Sequence, residues 1–202
     1  MNRACAAVML VFALAVAAPA LAQTQAMRIR GQIERLDGQT LAIKPRGGGE
    51  TLVVKLADNF TVTGVVPLAM TDIAPGKFVG AASRPQPDGS LRAIEVLVFP
   101  DAMRGSGEGH YPWDLTPDSM MTNANVAEVE SISGGRSMLL RYKDGEKRVV
   151  VPEGAPIVTF VPADRTALVT GAHVLVGAQR QADGTLTAPR VTVGLNGLMP
   201  PM

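Results

Sequence analysis

The sequence predicts an all-β protein with two tandem small β-barrels that pack together around a long central connector. Three observations support this fold: short strand patterns of period two, Asp-Gly and Gly-Gly turns at regular spacing, and recurrence of the whole pattern after 95 residues. Closed barrels are the expected arrangement, because closure removes the exposed edges of short strands. The strand count favours a barrel of the oligonucleotide- and oligosaccharide-binding type. An open sandwich formed jointly by both copies is the alternative.

The first predicted barrel spans residues 27–100. Its first strand is indicated by Ile29, Gly31 and Ile33, which alternate with polar residues and so give one buried face. The Asp37-Gly38 pair then predicts a tight hairpin turn. The further predicted elements are strands at 41–43, 52–56, 60–66, 78–83 and 91–99, with Ile94, Val96 and Val98 on one side of the last, and one helical turn at 69–73.

The second predicted barrel spans residues 124–197 and repeats this order. Turn and corner residues recur at one constant offset: Pro67 and Pro162, Ile73 and Leu168, Gly76 and Gly171, Asp88-Gly89 and Asp183-Gly184. A shared offset across several such positions indicates an internal duplication. Residues 198–202 are predicted to form a frayed tail.

The N-terminus predicts export. Residues 1–22 contain one basic residue, Arg3, then an apolar run that ends in Ala20-Leu21-Ala22, the pattern of a cleaved signal peptide. An uncleaved membrane anchor is the alternative, but Pro19 and the alanine-rich composition argue against it. The only cysteine, Cys5, lies inside this segment. We therefore expect a periplasmic protein without disulfides, thiol catalysis or cysteine-based metal sites.

The charge balance disfavours nucleic acid as a partner. Without Arg3, the 19 Lys and Arg residues become 18 and equal the 18 Asp and Glu residues. Binding to phosphates requires a basic face, which this even distribution does not offer. No apolar run after residue 22 reaches the length of a membrane span. The expected partner is an envelope protein or a small ligand, and no cofactor is predicted.

Several motifs carry a resemblance to a known family. The run Ile73-Ala74-Pro75-Gly76-Lys77, the stretch DGSLRAIEV at 88–96 and the connector motif from Phe99 to Asn123 resemble a bacterial exported β-domain family of unknown function. The resemblance implies tandem β-barrel repeats and an exported location, but no established activity. Some such proteins are labelled as metal-transporter-related. The second copy departs from the pattern at the corner, where Val169-Thr170-Gly171-Ala172 replaces Pro-Gly-Lys.

The connector, residues 101–123, is the predicted location of any specific site, because its pattern is that of neither a strand nor a tight turn. It contains the only tryptophan, one of two histidines and one of two tyrosines. Aromatic and imidazole rings on a glycine-hinged loop suit stacking on a sugar or gripping a peptide. We predict a ligand or interaction surface at His110, Tyr111, Trp113 and Asp114. The alternative is that these side chains only fasten the connector to the barrels.

Metal handling is the competing prediction for the connector. Thioethers and imidazole are ligands that suit Cu(I) or Ag(I), and the predicted mature chain offers no cysteine. The candidate ligands are Met103, His110, Met120 and Met121. The alternative interpretation is that Met103, Met120 and Trp113 are apolar anchors at the seam of the barrels.

Catalysis is not predicted. His110 and His173 are the only histidines, and Asp114 and Ser119 near His110 do not by themselves define a triad, which is recognised by geometry. Paired carboxylates such as Asp114 and Asp118 more often form solvated faces. The sequence therefore predicts a non-enzymatic binding or structural protein of the bacterial envelope, with metal handling as the alternative.

Overall fold

The computed structural model describes residues 25–200. The predicted signal peptide and the last two residues of the tail lie outside this range. The all-β prediction is confirmed, because strands make up nearly all of the regular structure and the helical segments are single 3-10 turns. None of the helical segments within residues 25–200 is long or apolar enough to cross a membrane.

The described residues form twelve strands and four 3-10 turns. The strands are β1 (Gln25–Asp37), β2 (Thr40–Pro45), β3 (Leu52–Pro67), β4 (Phe78–Pro85), β5 (Leu91–Val98), β6 (Gly109–Pro112), β7 (Met120–Ile132), β8 (Gly135–Tyr142), β9 (Gly145–Pro152), β10 (Ile157–Ala163), β11 (His173–Arg180) and β12 (Leu186–Gly194). The 3-10 turns lie at Met70–Asp72, Asp101–Met103, Arg165–Ala167 and Leu195–Gly197.

The first barrel is a closed ring of five strands in the order β1, β2, β3, β12 and β11. Antiparallel pairs join its neighbours except where β12 closes the ring against β3 in parallel, from Leu186 opposite Val54 to Gly194 opposite Val65. Its interior is filled by aliphatic side chains, including Ile33, Leu41 and Val176. These are the period-two positions of each strand, so the alternation in the sequence places its apolar half inside the ring.

The second barrel closes in the same way from β5, β4, β7, β8 and β9. Its parallel closure is short, with Leu91 opposite Val149 and Arg92 opposite Val150. Its core contains Met138, Leu140 and other buried aliphatic residues. Each ring therefore draws strands from both predicted segments: β11 and β12, from 124–197, complete the first, and β4 and β5, from 27–100, complete the second.

Strand β10 joins the two barrels into one continuous sheet. It pairs antiparallel with the end of β3, from Val158 opposite Pro67 to Ala163 opposite Val62, and parallel with β5. A third apolar cluster lies at this seam and includes Phe78 and Phe99, whose ring centroids are 5.3 Å apart. The seam is thus held by backbone hydrogen bonds and by an apolar core of its own.

Equivalent elements of the two halves begin 95 residues apart. This holds for β1 and β7, β2 and β8, β4 and β11, β5 and β12, and for the 3-10 turns at Met70–Asp72 and Arg165–Ala167. The turn hydrogen bonds repeat as well: Gln86 N donates to Ser90 O and Gln181 N to Thr185 O, both at 2.8 Å. Val65 of β3 pairs with Phe160 of β10, which is also 95 residues further along the chain, and this pair lies in the middle of the β3–β10 ladder.

A β-bulge in β5 changes which side chains face the second core. Ala82 lies opposite Glu95 and Ser83 opposite Ala93, so Ile94 is an extra residue on its strand. Ala93, Val96 and Val98 face the core, whereas Ile94 is only half-buried and lines a cavity outside it. The prediction that Ile94, Val96 and Val98 share one side is therefore wrong for Ile94, because the extra residue shifts the period-two alternation.

The connector and the tail are more ordered than the sequence pattern indicates. Strand β6 and the beginning of β7 form an antiparallel hairpin inside 101–123, with His110 opposite Thr122. In the tail, Leu198 packs against the third apolar cluster and Pro200 is buried. The described part of the predicted frayed tail is therefore packed, because it covers apolar residues at the seam.

Candidate binding site at the seam between the barrels

A cavity of about 690 Å³ lies at the seam. We call it the seam cavity. Its walls come from both barrels, from the connector and from the tail. The lining residues are Met27, Arg28, Ile29, Arg30, Pro45, Arg46, Gly47, Leu52, Ile94, Glu95, Leu115, Thr116, Pro156 and Met199. A volume of this size is within the range of small-molecule sites.

Glu95 is the most unusual residue of this wall. Its side chain is 1% exposed, and neither carboxylate oxygen has a hydrogen-bond partner within residues 25–200. Burial raises the pKa of Glu95 to about 8, although the charges of Arg30 and Arg46 act to lower it. The carboxyl group is therefore mostly protonated at neutral pH and can donate a hydrogen bond as well as accept one.

The bulge in β5 explains how an acidic residue reaches this position. Simple alternation after Leu91 and Ala93 would direct Glu95 into the second core, where no partner of opposite charge is available among the aliphatic residues. The extra residue Ile94 instead turns Glu95 outward to the first barrel. The corresponding residue of the other half, Arg190, lies in an irregularity of the β11–β12 pairing that adds one residue to β12, but it is exposed. The two halves are thus unequal at this position.

Arginines surround the cavity on the side of the first barrel. Arg28 and Arg30 project from β1, and Arg46 follows the end of β2. Asp114 of the connector accepts a hydrogen bond of 2.7 Å from Arg30 Nη2 and lies 3.5 Å from Arg28 Nη1. Partial burial acts to raise the pKa of Asp114, but the hydrogen bond and charges of the two arginines outweigh it and lower the pKa. Asp114 is therefore ionised and holds both arginines at the rim.

Trp113 fixes the same rim by a cation–π contact. The guanidinium carbon of Arg28 lies 3.9 Å from the centre of the indole, and Tyr111 packs edge-on to the indole at 6.2 Å. Ser119 Oγ donates a 2.9 Å hydrogen bond to the Trp113 carbonyl, which closes the loop that carries Leu115 and Thr116. The indole N–H is buried without a hydrogen-bond partner in the described residues.

The four residues predicted as the ligand surface lie in two different surroundings. Trp113 and Asp114 position the arginines of the seam cavity but do not line it. His110 faces elsewhere: its Nδ1 is 2.9 Å from Thr122 Oγ1, and its ring stacks on Tyr142. Burial, followed by the charge of Lys147, lowers the pKa of His110. Burial raises the pKa of Tyr111, whose hydroxyl accepts a hydrogen bond from Asn123.

The predicted metal ligands lie in different surroundings. Met103 packs against the third apolar cluster, whereas Met121 is 1% exposed and pairs across the hairpin with Tyr111. Met120 is half-buried opposite Pro112. Within residues 25–200, no group of three or more His, Cys, Asp or Glu side chains is placed to hold a metal ion.

Sequence reasoning overlooked the residues that line the seam cavity, above all Glu95, Arg30 and Arg46. One signal was present in the sequence: Glu95 is a single acid within the otherwise apolar run 93–99. Such a residue is buried if the strand is buried, and a buried carboxyl without a partner is a typical feature of functional sites. The arginines carry no such signal, because alternating charged residues also describe a solvent-facing strand.

The fold and this cavity define a double-barrel protein with a ligand-sized space at its seam. No family model, curated protein or solved structure matches the chain. The resemblance to the exported β-domain family therefore stays a prediction.

Proposed function

We propose that this is a non-enzymatic binding protein of the bacterial envelope, which takes a small ligand into the seam cavity. One observation carries the proposal: the cavity of about 690 Å³ has in its wall a fully buried carboxyl group, Glu95, with no hydrogen-bond partner among the described residues. Leaving a buried polar group unpaired costs free energy, so a ligand that supplies the missing hydrogen bond gains affinity. The apolar wall adds the hydrophobic contribution that small-molecule sites use.

The connector contributes to this function through residues 113–116, not through the surface predicted on His110 and Tyr111. It closes one side of the cavity with Leu115 and Thr116 and orients the arginines through Trp113 and Asp114. We propose that it acts as a fixed wall of the site. The periplasmic location belongs to the same proposal and is supported by the pattern of residues 1–22, which is that of a signal peptide.

We also infer that the protein arose by internal duplication. The constant offset of 95 residues between equivalent strands, turns and turn hydrogen bonds supports this origin. In the duplicated chain, each barrel is then completed by a hairpin from the other half: β11–β12 for the first barrel and β4–β5 for the second. The duplication leaves Glu95 and Arg190 at equivalent positions, so only one half carries the acidic residue of the cavity.

The experiment uses N-phenyl-1-naphthylamine, a neutral dye that fluoresces in apolar surroundings. We expect saturable binding of one dye per purified protein. Leu52→Trp fills the cavity from the first barrel and should weaken binding by about tenfold or more. Val53→Trp is the matched control, because Val53 is the next residue on β3 and is 56% exposed. It should bind the dye as the wild type does.

A second variant separates loss of the site from loss of folding, because Leu52 also packs against the first core. Leu115→Trp fills the cavity from the connector instead. Circular dichroism should show that it retains the wild-type fold, and dye binding should again be lost. Absence of binding in the wild type, or wild-type binding in both filled variants, would refute the proposal.

A further inference from the structure

Among the described residues around the seam cavity, positive charges outnumber negative ones. Arg28, Arg30 and Arg46 contribute three positive charges, whereas Asp114 contributes one negative charge. Glu95 adds little negative charge near neutral pH, because burial raises its pKa to about 8. These residues give the cavity a positive potential in partly dehydrated surroundings, where charges interact more strongly than in bulk water. An anion is attracted to this space and a cation is repelled.

Arg46 is the group best placed to receive an anion. Arg28 and Arg30 are engaged by Asp114, and Arg28 also lies over Trp113. Arg46 is exposed at the beginning of the turn after β2, and its guanidinium makes no hydrogen bond or ion pair with another residue of the described chain. A guanidinium suits the two oxygens of a carboxylate, because it presents paired N–H donors in one plane.

The rest of the wall is apolar and sets the second requirement. Ile29, Leu52 and Ile94 contribute aliphatic surface, and Leu115 and Met199 close the sides. A small inorganic anion would leave this surface exposed to water. A ligand with an apolar body covers it and gains the corresponding hydrophobic free energy.

Resting on the proposed function, we propose that the seam cavity binds an amphipathic monocarboxylate, with its charged group between Arg46 and Glu95 and its apolar body against Ile29, Leu52 and Ile94. The Glu95 carboxyl donates a hydrogen bond to the ligand carboxylate, while Arg46 supplies the opposite charge. The buried oxygens of Glu95 thereby gain the partner that the described residues do not provide.

The test compares three twelve-carbon probes that differ only in their polar group: dodecanoate, dodecanol and dodecylammonium. Each displaces the naphthylamine dye below its micelle-forming concentration, near pH 7. We expect dodecanoate to displace the dye at a concentration about tenfold lower than dodecanol, and dodecylammonium to be the weakest. Equal potency of dodecanoate and dodecanol, or strongest displacement by dodecylammonium, would overturn the proposal.

Variants assign the preference to residues. Arg46→Gln should reduce the advantage of dodecanoate to less than about threefold and leave dodecanol unchanged, since only the anion uses the guanidinium. Arg92→Gln is the matched control, because Arg92 is an exposed arginine that does not line the cavity. It should retain the full preference. An unchanged preference in Arg46→Gln would contradict the assignment.

The advantage of dodecanoate should also fall as the pH rises from about 7 to about 9, since ionised Glu95 repels the ligand. The other charged groups around the ligand are the three arginines and ionised Asp114. Glu95→Gln retains an N–H donor and should remove the pH dependence. A wild-type preference that does not change with pH would overturn the role of Glu95. Failure of the dye to bind at all would refute the binding function itself, whereas dye binding without anion preference would refute only this inference.

Discussion

Glu95 makes the stability of the protein depend on pH in the opposite direction to a typical paired carboxylate. Its pKa is raised from 4.5 to about 8 in the folded state, so the folded protein holds this proton over a range in which the unfolded chain has lost it. Stability from this group is therefore greatest below pH 4.5 and falls as the pH rises, until the folded form also ionises near pH 8. Above that pH the loss is complete and constant.

The prediction is that Glu95→Gln removes this pH dependence. Between about pH 5.5 and 8.5 the wild type should lose roughly 3 kcal/mol of unfolding free energy relative to the variant, since each pKa unit corresponds to about 1.4 kcal/mol. Urea denaturation of both proteins at the two pH values measures the difference. Other titrating groups, such as His110, are present in both proteins and cancel. A difference that stays constant with pH would show that Glu95 ionises normally in the folded state.

At the same scale, the limits of sequence prediction are visible in single residues. Ile29, Gly31 and Ile33 are buried as their alternation predicts, because period two is a property of every strand. Glu95 escaped prediction because one extra residue, Ile94, reverses the alternation, and no local pattern marks a bulge in an apolar strand. Trp113 and Asp114 are part of the predicted ligand surface, but their contacts with arginines could not be predicted, because these arginines lie more than 80 residues away in the sequence.

Among the elements, β1 and β2 pack so closely that one position requires glycine. A Cβ atom on Gly31 would lie 2.2 Å from the carbonyl oxygen of Lys44, which belongs to the paired strand. This backbone atom moves only if the ladder itself is distorted. Gly177, on the other neighbour of β1, has open space around its Cβ position and an ordinary φ.

Gly31→Ala should therefore destabilise the protein by about 2 kcal/mol or more, within the range expected for overpacking. Gly177→Ala is the control on the neighbouring strand β11 and should be neutral or stabilising by about 0.5 kcal/mol, because alanine loses less backbone entropy in a strand. Urea denaturation monitored by circular dichroism compares them. Equal stability of the two variants would show that β1 and β2 separate at little cost.

Element boundaries were predicted well where turns are tight and poorly where strands are long. The 3-10 turns at Met70–Asp72 and Arg165–Ala167 lie within the predicted helical turn and its equivalent, because proline and glycine limit them on both sides. Two predicted strands, 52–56 and 60–66, are one strand, β3, since Asp58 and Asn59 interrupt the pattern without ending the ladder. In the connector, β6 pairs with β7 through its backbone and forms a hairpin. This hairpin was not predicted, because the glycines Gly105, Gly107 and Gly109 suggest a loop.

The whole molecule differs from a pair of independent barrels because each ring uses strands from both halves. Local patterns specify hairpins such as β4–β5 and β11–β12. They do not specify whether such a hairpin joins the first three strands of its own half or those of the other half. Both choices satisfy the same alternation, since the halves have equivalent strands 95 residues apart. The observed arrangement is made by ladders between strands far apart in the sequence, such as β3–β12 and β5–β9, which local patterns do not reveal.

This arrangement predicts that the halves depend on each other for folding. Residues 25–100 produced alone contain β1 to β5 but lack the β11–β12 hairpin that closes the first barrel. We expect this fragment, and likewise 101–200, to show little strand signal in circular dichroism and poor dispersion of amide NMR resonances. An equimolar mixture should recover the spectrum of the intact chain, because the mixture again offers every strand its partner. The intact chain should unfold in one transition with urea.

The separate fragments could also fail to fold for reasons other than strand exchange. Cleavage of the connector in the folded chain tests the exchange directly. Pro117 and Asp118 are exposed, so a protease site inserted between them is accessible in the folded chain. After cleavage, the two pieces should elute together in size-exclusion chromatography and separate only in denaturant, since the parallel β3–β12 and β5–β9 ladders connect them without a covalent link. If each piece instead eluted alone as a folded barrel, β4–β5 would have to close on β1 to β3 within one half, and the exchanged topology would be wrong.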